Sequence, residues 1–162
     1  MGTTTFTIET QQQINWCWAA VGVSINHYFS PAATLKQCEL AQKLLGPGCC
    51  GNPAEFNVAE RLENALGAVN RLKQPVLDGH TLTFLQIRQQ IDAGLPVCAR
   101  IGWQGEETRG HFVVICGYSQ SSTGEPWVSI ADPYYLDSTI PYEQFVNSYL
   151  DAGVWTDTYL VV

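Results

Sequence analysis

Positive charge is scarce in this chain. Its 162 residues carry eight Lys and Arg against 15 Asp and Glu, a formal net charge of −7 and a pI near 4.7. No Lys/Arg cluster occurs anywhere, which counts against nucleic acid or an anionic membrane surface as a partner. Long apolar runs are missing as well. None approaches the roughly 20 residues that a membrane-spanning helix needs. The opening Met1-Gly2-Thr3-Thr4-Thr5-Phe6 lacks the charged and apolar regions of a signal peptide, and Phe6 spoils a myristoylation match. No internal repeat, linker or low-complexity segment breaks the chain, so one domain over residues 1–162 is expected. Charged residues are only 14% of the total and apolar residues 46%, a balance that excludes a disordered chain and suffices for a real core.

What is present begins with Gln11-Gln12-Gln13-Ile14-Asn15-Trp16-Cys17-Trp18-Ala19-Ala20. From Trp16 to Phe29 there is no proline, and Trp18, Val21 and Ile25 have the spacing of a largely buried helix. Asn15 is a good N-cap, which puts Cys17 in the first turn. A cysteine there feels the positive end of the helix dipole, which favours thiolate over thiol. The unpaired first-turn N–H groups are also potential donors to an oxyanion. The bland alternative is a small buried core cysteine.

The second half supplies what a nucleophilic cysteine needs. Gly110-His111-Phe112-Val113-Val114-Ile115 reads as a histidine at the mouth of an apolar strand. A further strand, Trp127 to Ala131, runs into Asp132-Pro133. If the two are adjacent and antiparallel, the start of one meets the end of the other, and His111 and Asp132 become neighbours. Asp132 would then hold the imidazole in the tautomer that activates Cys17. Taken singly, His111 reads equally as an ordinary strand-end residue and Asp-Pro as a turn. Together, in the order Cys, His, Asp, each at an element end, they are far more specific.

These segments resemble the papain-like cysteine peptidases, nearest to the bacterial branch of AvrRpt2-like effectors and C39-like bacteriocin-processing peptidases. The Gln run with Trp16 to Ala20, then Gly110 to Ile115 with Gly117-Tyr118, then Ile130 to Pro133 carry the resemblance. It implies Cys17 as nucleophile, His111 as base, Asp132 as orienting acid and an upstream glutamine as oxyanion donor. The papain pattern sets that glutamine six residues ahead of the nucleophile, which points to Gln11 over Gln12 and Gln13. The Asn-Ser-Trp run of plant and animal papains is missing, so their cleft details do not carry over.

The remaining chain predicts an α+β protein. Helical spacing runs over Ala33–Leu45, from Asn52-Pro53 to Gly67, and from Thr81–Phe84 to Gly94. From Leu95 the period becomes alternating. Strands are expected over Pro96–Trp103, Gly110–Tyr118, Gly124–Ala131, Ser138–Ile140 and Val154–Val162, with Thr3–Ile8 a short edge strand. Gln104–Arg109 reads as a loop and Tyr142–Leu150 as a short helical turn. N-terminal helices, including the cysteine helix, would pack on a C-terminal antiparallel sheet or partial barrel, which agrees with the papain-like architecture. His27 lies too far along the first helix to touch Cys17, and His80 sits in a turn; both read as structural or exposed.

Cys38, Cys49 and Cys50 flank the Gly46-Pro47-Gly48 turn. A disulfide from Cys38 to Cys49 or Cys50 would suit a secreted or effector-type protein; reduced thiols in a cytosolic one are the alternative. With no histidine nearby they match no zinc pattern, so neither metal nor cofactor is expected. Cys98 and Cys116 read as core cysteines, with a cross-strand bridge as the alternative. The leading function is a thiol hydrolase cleaving a peptide or isopeptide bond, with a peptide or protein as partner. Acyl transfer or transglutamination by the same triad, and a catalytically dead binding module, are the alternatives. Trp103, Trp127, Tyr134 and Tyr135 are either cleft-flanking or core and rim residues; no substrate-binding residue is assigned.

Overall fold

The apolar period changes near Leu95, and the backbone changes with it. The computed structural model describes residues 1–162, the side chain of Glu107 excepted. In chain order come β1 (Gly2–Thr3), α1 (Cys17–Phe29), α2 (Gln37–Leu45), a 3-10 turn (Pro53–Phe56), α3 (Leu62–Ala68) and α4 (Phe84–Asp92). Then follow β2 (Val97–Trp103), β3 (Glu106–Gln120), β4 (Pro126–Ala131), β5 (Ser138–Pro141), α5 (Tyr142–Ser148) and β6 (Gly153–Leu160). The sheet runs β5-β4-β3-β2-β6 with β1 laid on β3, and every pairing is antiparallel. The α+β expectation is met, with the cysteine helix on the sheet.

Alternation along the strands splits the core in two. Cys98, Phe112, Val114, Ala131 and Tyr159 face α1, α2 and α3, whereas Val97, Ala99, Ile101, Val113, Ile115 and Ile130 pack with α4 and α5. The first layer is tight. A Cβ built on Gly22 of α1 would stand 2.8 Å from Leu40 Cδ2 and 3.2 Å from Ala65 Cβ, so a larger residue there would have to push the neighbouring helices' side chains aside. No described helix is long and apolar enough to cross a membrane.

Several boundaries differ from expectation for identifiable reasons. Asn15 does not cap α1. The N-cap is Trp16, without a side-chain bond, and Asn15 instead pairs twice with Asn57, through its backbone N–H to Oδ1 at 2.9 Å and its side-chain N–H to the backbone carbonyl at 3.0 Å. The helix expected from Asn52 to Gly67 is broken between Phe56 and Leu62, because that backbone has other work. The Phe56 and Val58 carbonyls accept the indole N–H groups of Trp16 at 2.8 Å and Trp18 at 3.1 Å. Pro53 does open its turn, as a first-position proline should. The loop expected over Gln104–Arg109 shrinks to Gln104-Gly105, since Trp103 already pairs with Glu106 and Gly105 takes a φ of +81°. Of the expected Thr3–Ile8 edge strand only Thr3 is in a strand, the two-residue Gly2–Thr3, and α2 begins at Gln37 rather than Ala33. Elsewhere the reading holds: α4 starts at Phe84, within the expected Thr81–Phe84, where the structure adds a Thr83 cap boxed with Gln86, and α5 falls within Tyr142–Leu150.

Cys38 is bonded to Cys50, one of the two expected pairings, while Cys17, Cys49, Cys98 and Cys116 are free.

Candidate active site

Cys17 is the first residue of α1. The backbone N–H groups of that turn have no partner within the helix, since the ladder begins with Ala20 donating to Trp16. Its position is fixed from both sides. Trp16 and Trp18 are fully buried, and with Asn15 they make four hydrogen bonds to the segment Phe56–Val58. The nucleophile candidate thus sits between two aromatic anchors and not on a free helix end.

His111 arrives on β3 and Asp132 just past β4. The register pairs Val114 with Ala131. Period-two alternation then puts His111, which shares its parity with Val113 and Ile115, and Asp132, which shares its parity with Ile130, on the same side. Their side chains meet there: His111 Nε2 lies 2.8 Å from Asp132 Oδ1. That leaves Nδ1 as the ring nitrogen not taken by Asp132, in the same cleft as Cys17. Both residues are buried, Asp132 to 3% exposure.

Asp132 accepts more than one donor. Oδ1 also receives the backbone N–H groups of Tyr134 at 2.8 Å and Tyr135 at 2.9 Å, an Asx turn closed by Pro133. Oδ2 receives the Tyr149 hydroxyl at 2.6 Å. Burial alone would raise its pKa, but the bond and charge of His111, with the Tyr149 and Tyr135 donors, hold it below the ordinary carboxylate value. For His111 burial acts to lower the pKa. The bonds and charges of Asp132 and Cys17 outweigh it and raise the imidazole to about 9. The site therefore favours a protonated imidazole against the Asp132 carboxylate.

Gln11 lines the same cleft of about 970 Å³, together with Cys17, Trp103, His111, Tyr134 and Tyr135. Its backbone N–H is tied to the Pro133 carbonyl at 2.9 Å, joining the Gln run to the Asp132 loop. Its side-chain N–H groups, however, donate to the carbonyls of Gln13 at 3.0 Å and Ile14 at 2.7 Å, and its Oε1 is buried without a partner. Gln12 is exposed and Gln13 half-buried. Trp127 lies off the cleft, at the far end of β4, where it pairs with Ser119 and Pro141.

Three contributors escaped the sequence reading. Tyr149 and Asn57 reach the site only through tertiary folding, and nothing in their local pattern marks them. Gln37 looks like a polar residue on the solvent face of α2, yet it is 1% exposed. It accepts the Gln12 N–H at 3.0 Å and donates to Glu9 and to the Thr10 carbonyl, holding the Gln run in place. His27 pairs with Glu9 at 3.2 Å, and His80 is exposed, so neither enters the site. Among the described residues no group of three or more His, Cys, Asp or Glu is placed to hold a metal ion.

The chain matches the family model of the Peptidase_C39 like family over residues 3–156. No curated protein matches it.

Proposed function

The chain belongs to the Peptidase_C39 like family, and so to the papain-like cysteine peptidases; on that premise we propose that it hydrolyses a peptide or isopeptide bond through a thioester on Cys17. The observation that carries this reading is the buried His111–Asp132 pair, Nε2 to Oδ1 at 2.8 Å, with His111 lining the same cleft as Cys17. Cys17 attacks the carbonyl carbon, and the S–C bond forms as the C=O π electrons move onto oxygen. His111, holding the thiol proton, delivers it to the leaving amine as the C–N bond breaks. Water, deprotonated by His111, then cleaves the thioester and frees the acid. Asp132 keeps Nε2–H occupied so that Nδ1 faces the sulfur. The finer kinship with AvrRpt2-like effectors rests on the Gln run and Trp16–Ala20.

The oxyanion falls to the Cys17 backbone N–H and to Gln11. At rest the Gln11 amide is engaged with Gln13 and Ile14, so it must turn toward the cleft to donate. Gln11→Ala should lower kcat by roughly 10²–10³-fold with little change in KM, while Gln12→Ala and Gln13→Ala stay near wild type. A large loss at Gln13 with none at Gln11 would show the donor to be Gln13 instead.

Tyr149 fixes the second oxygen of Asp132. Tyr149→Phe should reduce kcat about tenfold, the worth of one hydrogen bond to a charged group. Unchanged turnover would show that the backbone donors alone hold the carboxylate.

The imidazole sets the pH dependence. A histidine raised from 6.5 to about 9 adds stability that is complete below pH 6.5 and lost as pH rises through about 9. Turnover, which needs the imidazolium to protonate the leaving amine, should show its alkaline limb near pH 9. Asp132→Asn should move that limb downward; an unmoved limb would detach Asp132 from the histidine.

Incubation with a proteome-derived peptide library, read by mass spectrometry, tests the reaction itself. Cys17-dependent release of free carboxylic acids supports hydrolysis. New amides formed with added amines would assign acyl transfer instead, and no Cys17-dependent product would overturn the reading.

A further inference from the structure

Around His111 the cleft wall is aromatic. Trp103 lies stacked on the imidazole with centroids 6.2 Å apart, and Tyr135 meets it edge-on at 5.6 Å. Tyr134 packs against Tyr135 at 4.7 Å. These tyrosines are only half used in packing, being 51% and 49% exposed, and Leu136 beside them is 77% exposed. A contiguous exposed apolar wall next to a reactive group marks a binding surface more often than an accident of packing. The backbone agrees. Leu136 has a φ of +77°, a left-handed conformation that leucine seldom adopts and that gathers at ligand clamps. The wall is also held rigidly, because the Tyr134 and Tyr135 N–H groups are anchored on Asp132.

The occupant follows from the chemistry of the reaction. Resting on the hydrolase reading above, the leaving nitrogen must come within hydrogen-bond reach of His111, roughly 3 Å. The residue that carries this nitrogen then lies against whatever flanks the imidazole. We propose that Trp103, Tyr134 and Tyr135 form a subsite selecting an apolar or aromatic side chain on the residue immediately after the scissile bond. A cationic side chain gains no pairing with Asp132, which already takes donors from His111, Tyr134, Tyr135 and Tyr149. An anionic one would lie against apolar rings beside the Asp132 charge.

The new N-termini in the same library digest read this position directly. Wild type should favour Leu, Phe or Tyr over Ser, Asp and Lys by about tenfold in frequency. Tyr135→Ala should collapse that ratio to within about twofold, and Tyr135→Phe should retain it. A purely structural role would slow all cleavages alike and leave the ratio where it was. Cys17-dependent cleavage with a flat or charge-selective profile in wild type, or an undiminished ratio in Tyr135→Ala, overturns the subsite alone. Absence of any Cys17-dependent cleavage overturns the hydrolase reading, and the subsite with it.

Discussion

Cys17→Ala should abolish peptide hydrolysis, with a loss of more than about 10⁴-fold that leaves only background. Alanine supplies no lone pair to attack the carbonyl, and no neighbouring thiol can replace it. Cys98 is fully buried and its thiol pushed far up by desolvation, and burial raises Cys116 to about 11. Cys38 and Cys50 are bonded to each other. Iodoacetamide at mildly acidic pH should therefore alkylate Cys17 ahead of Cys49, Cys98 and Cys116, as mass mapping would record. The variant should keep its native circular dichroism, because Trp16 and Trp18 still pin the helix start to Phe56 and Val58. Mass mapping that finds another cysteine modified first would remove the basis for treating Cys17 as the activated thiol.

His111→Ala should be nearly as damaging to turnover as Cys17→Ala. In the proposed mechanism the same ring accepts the thiol proton, protonates the leaving amine and activates water, so its loss touches every step. Asp132→Ala should be one to two orders of magnitude milder, since a carboxylate that orients transfers no proton. Stability provides a second readout. Removing one partner of a buried ion pair commonly costs about 3–5 kcal/mol. After His111→Ala, however, Asp132 keeps the Tyr134, Tyr135 and Tyr149 donors, which brings the expected loss nearer 1–3 kcal/mol. Thermal unfolding at neutral pH measures it. Turnover in His111→Ala within tenfold of wild type would assign the proton transfers elsewhere.

The residues of this site differ in how far they can be read from sequence, and the difference is physical. Cys17, His111 and Asp132 each stand at the end of a segment whose period is unmistakable, so antiparallel geometry alone makes His111 and Asp132 neighbours. The strands after Leu95 are legible because alternation and burial reinforce one another there. Asn15 misleads because local capping rules favour it, while the fold commits its amide to Asn57, a partner 42 residues away. The break between Phe56 and Leu62 is invisible for a related reason. Helical spacing continues through it, and only the indoles of Trp16 and Trp18, reaching in from another element, take up the carbonyls. Tyr149 and Gln37 carry no local signal, because a buried polar side chain announces itself only through its partner. The position of Gln11 comes from the resemblance to papain-like peptidases; the engagement of its amide with its own loop comes from the fold.

The Cys38–Cys50 bond closes a loop of 12 residues' separation, and Cys50 is exposed to solvent. A closure of that length stabilises a domain by about 3 kcal/mol in the chain-entropy view. Just past it stand Pro53–Phe56 and the carbonyls that pin Trp16 and Trp18 on either side of Cys17. The two kinds of sulfur therefore make opposite demands on the surrounding redox potential. As the proposed nucleophile Cys17 must stay reduced, whereas the cross-link that braces its support must stay oxidised. Added dithiol acts with both signs at once, rescuing an oxidised nucleophile at low dose and, at high dose, cutting the brace beside it.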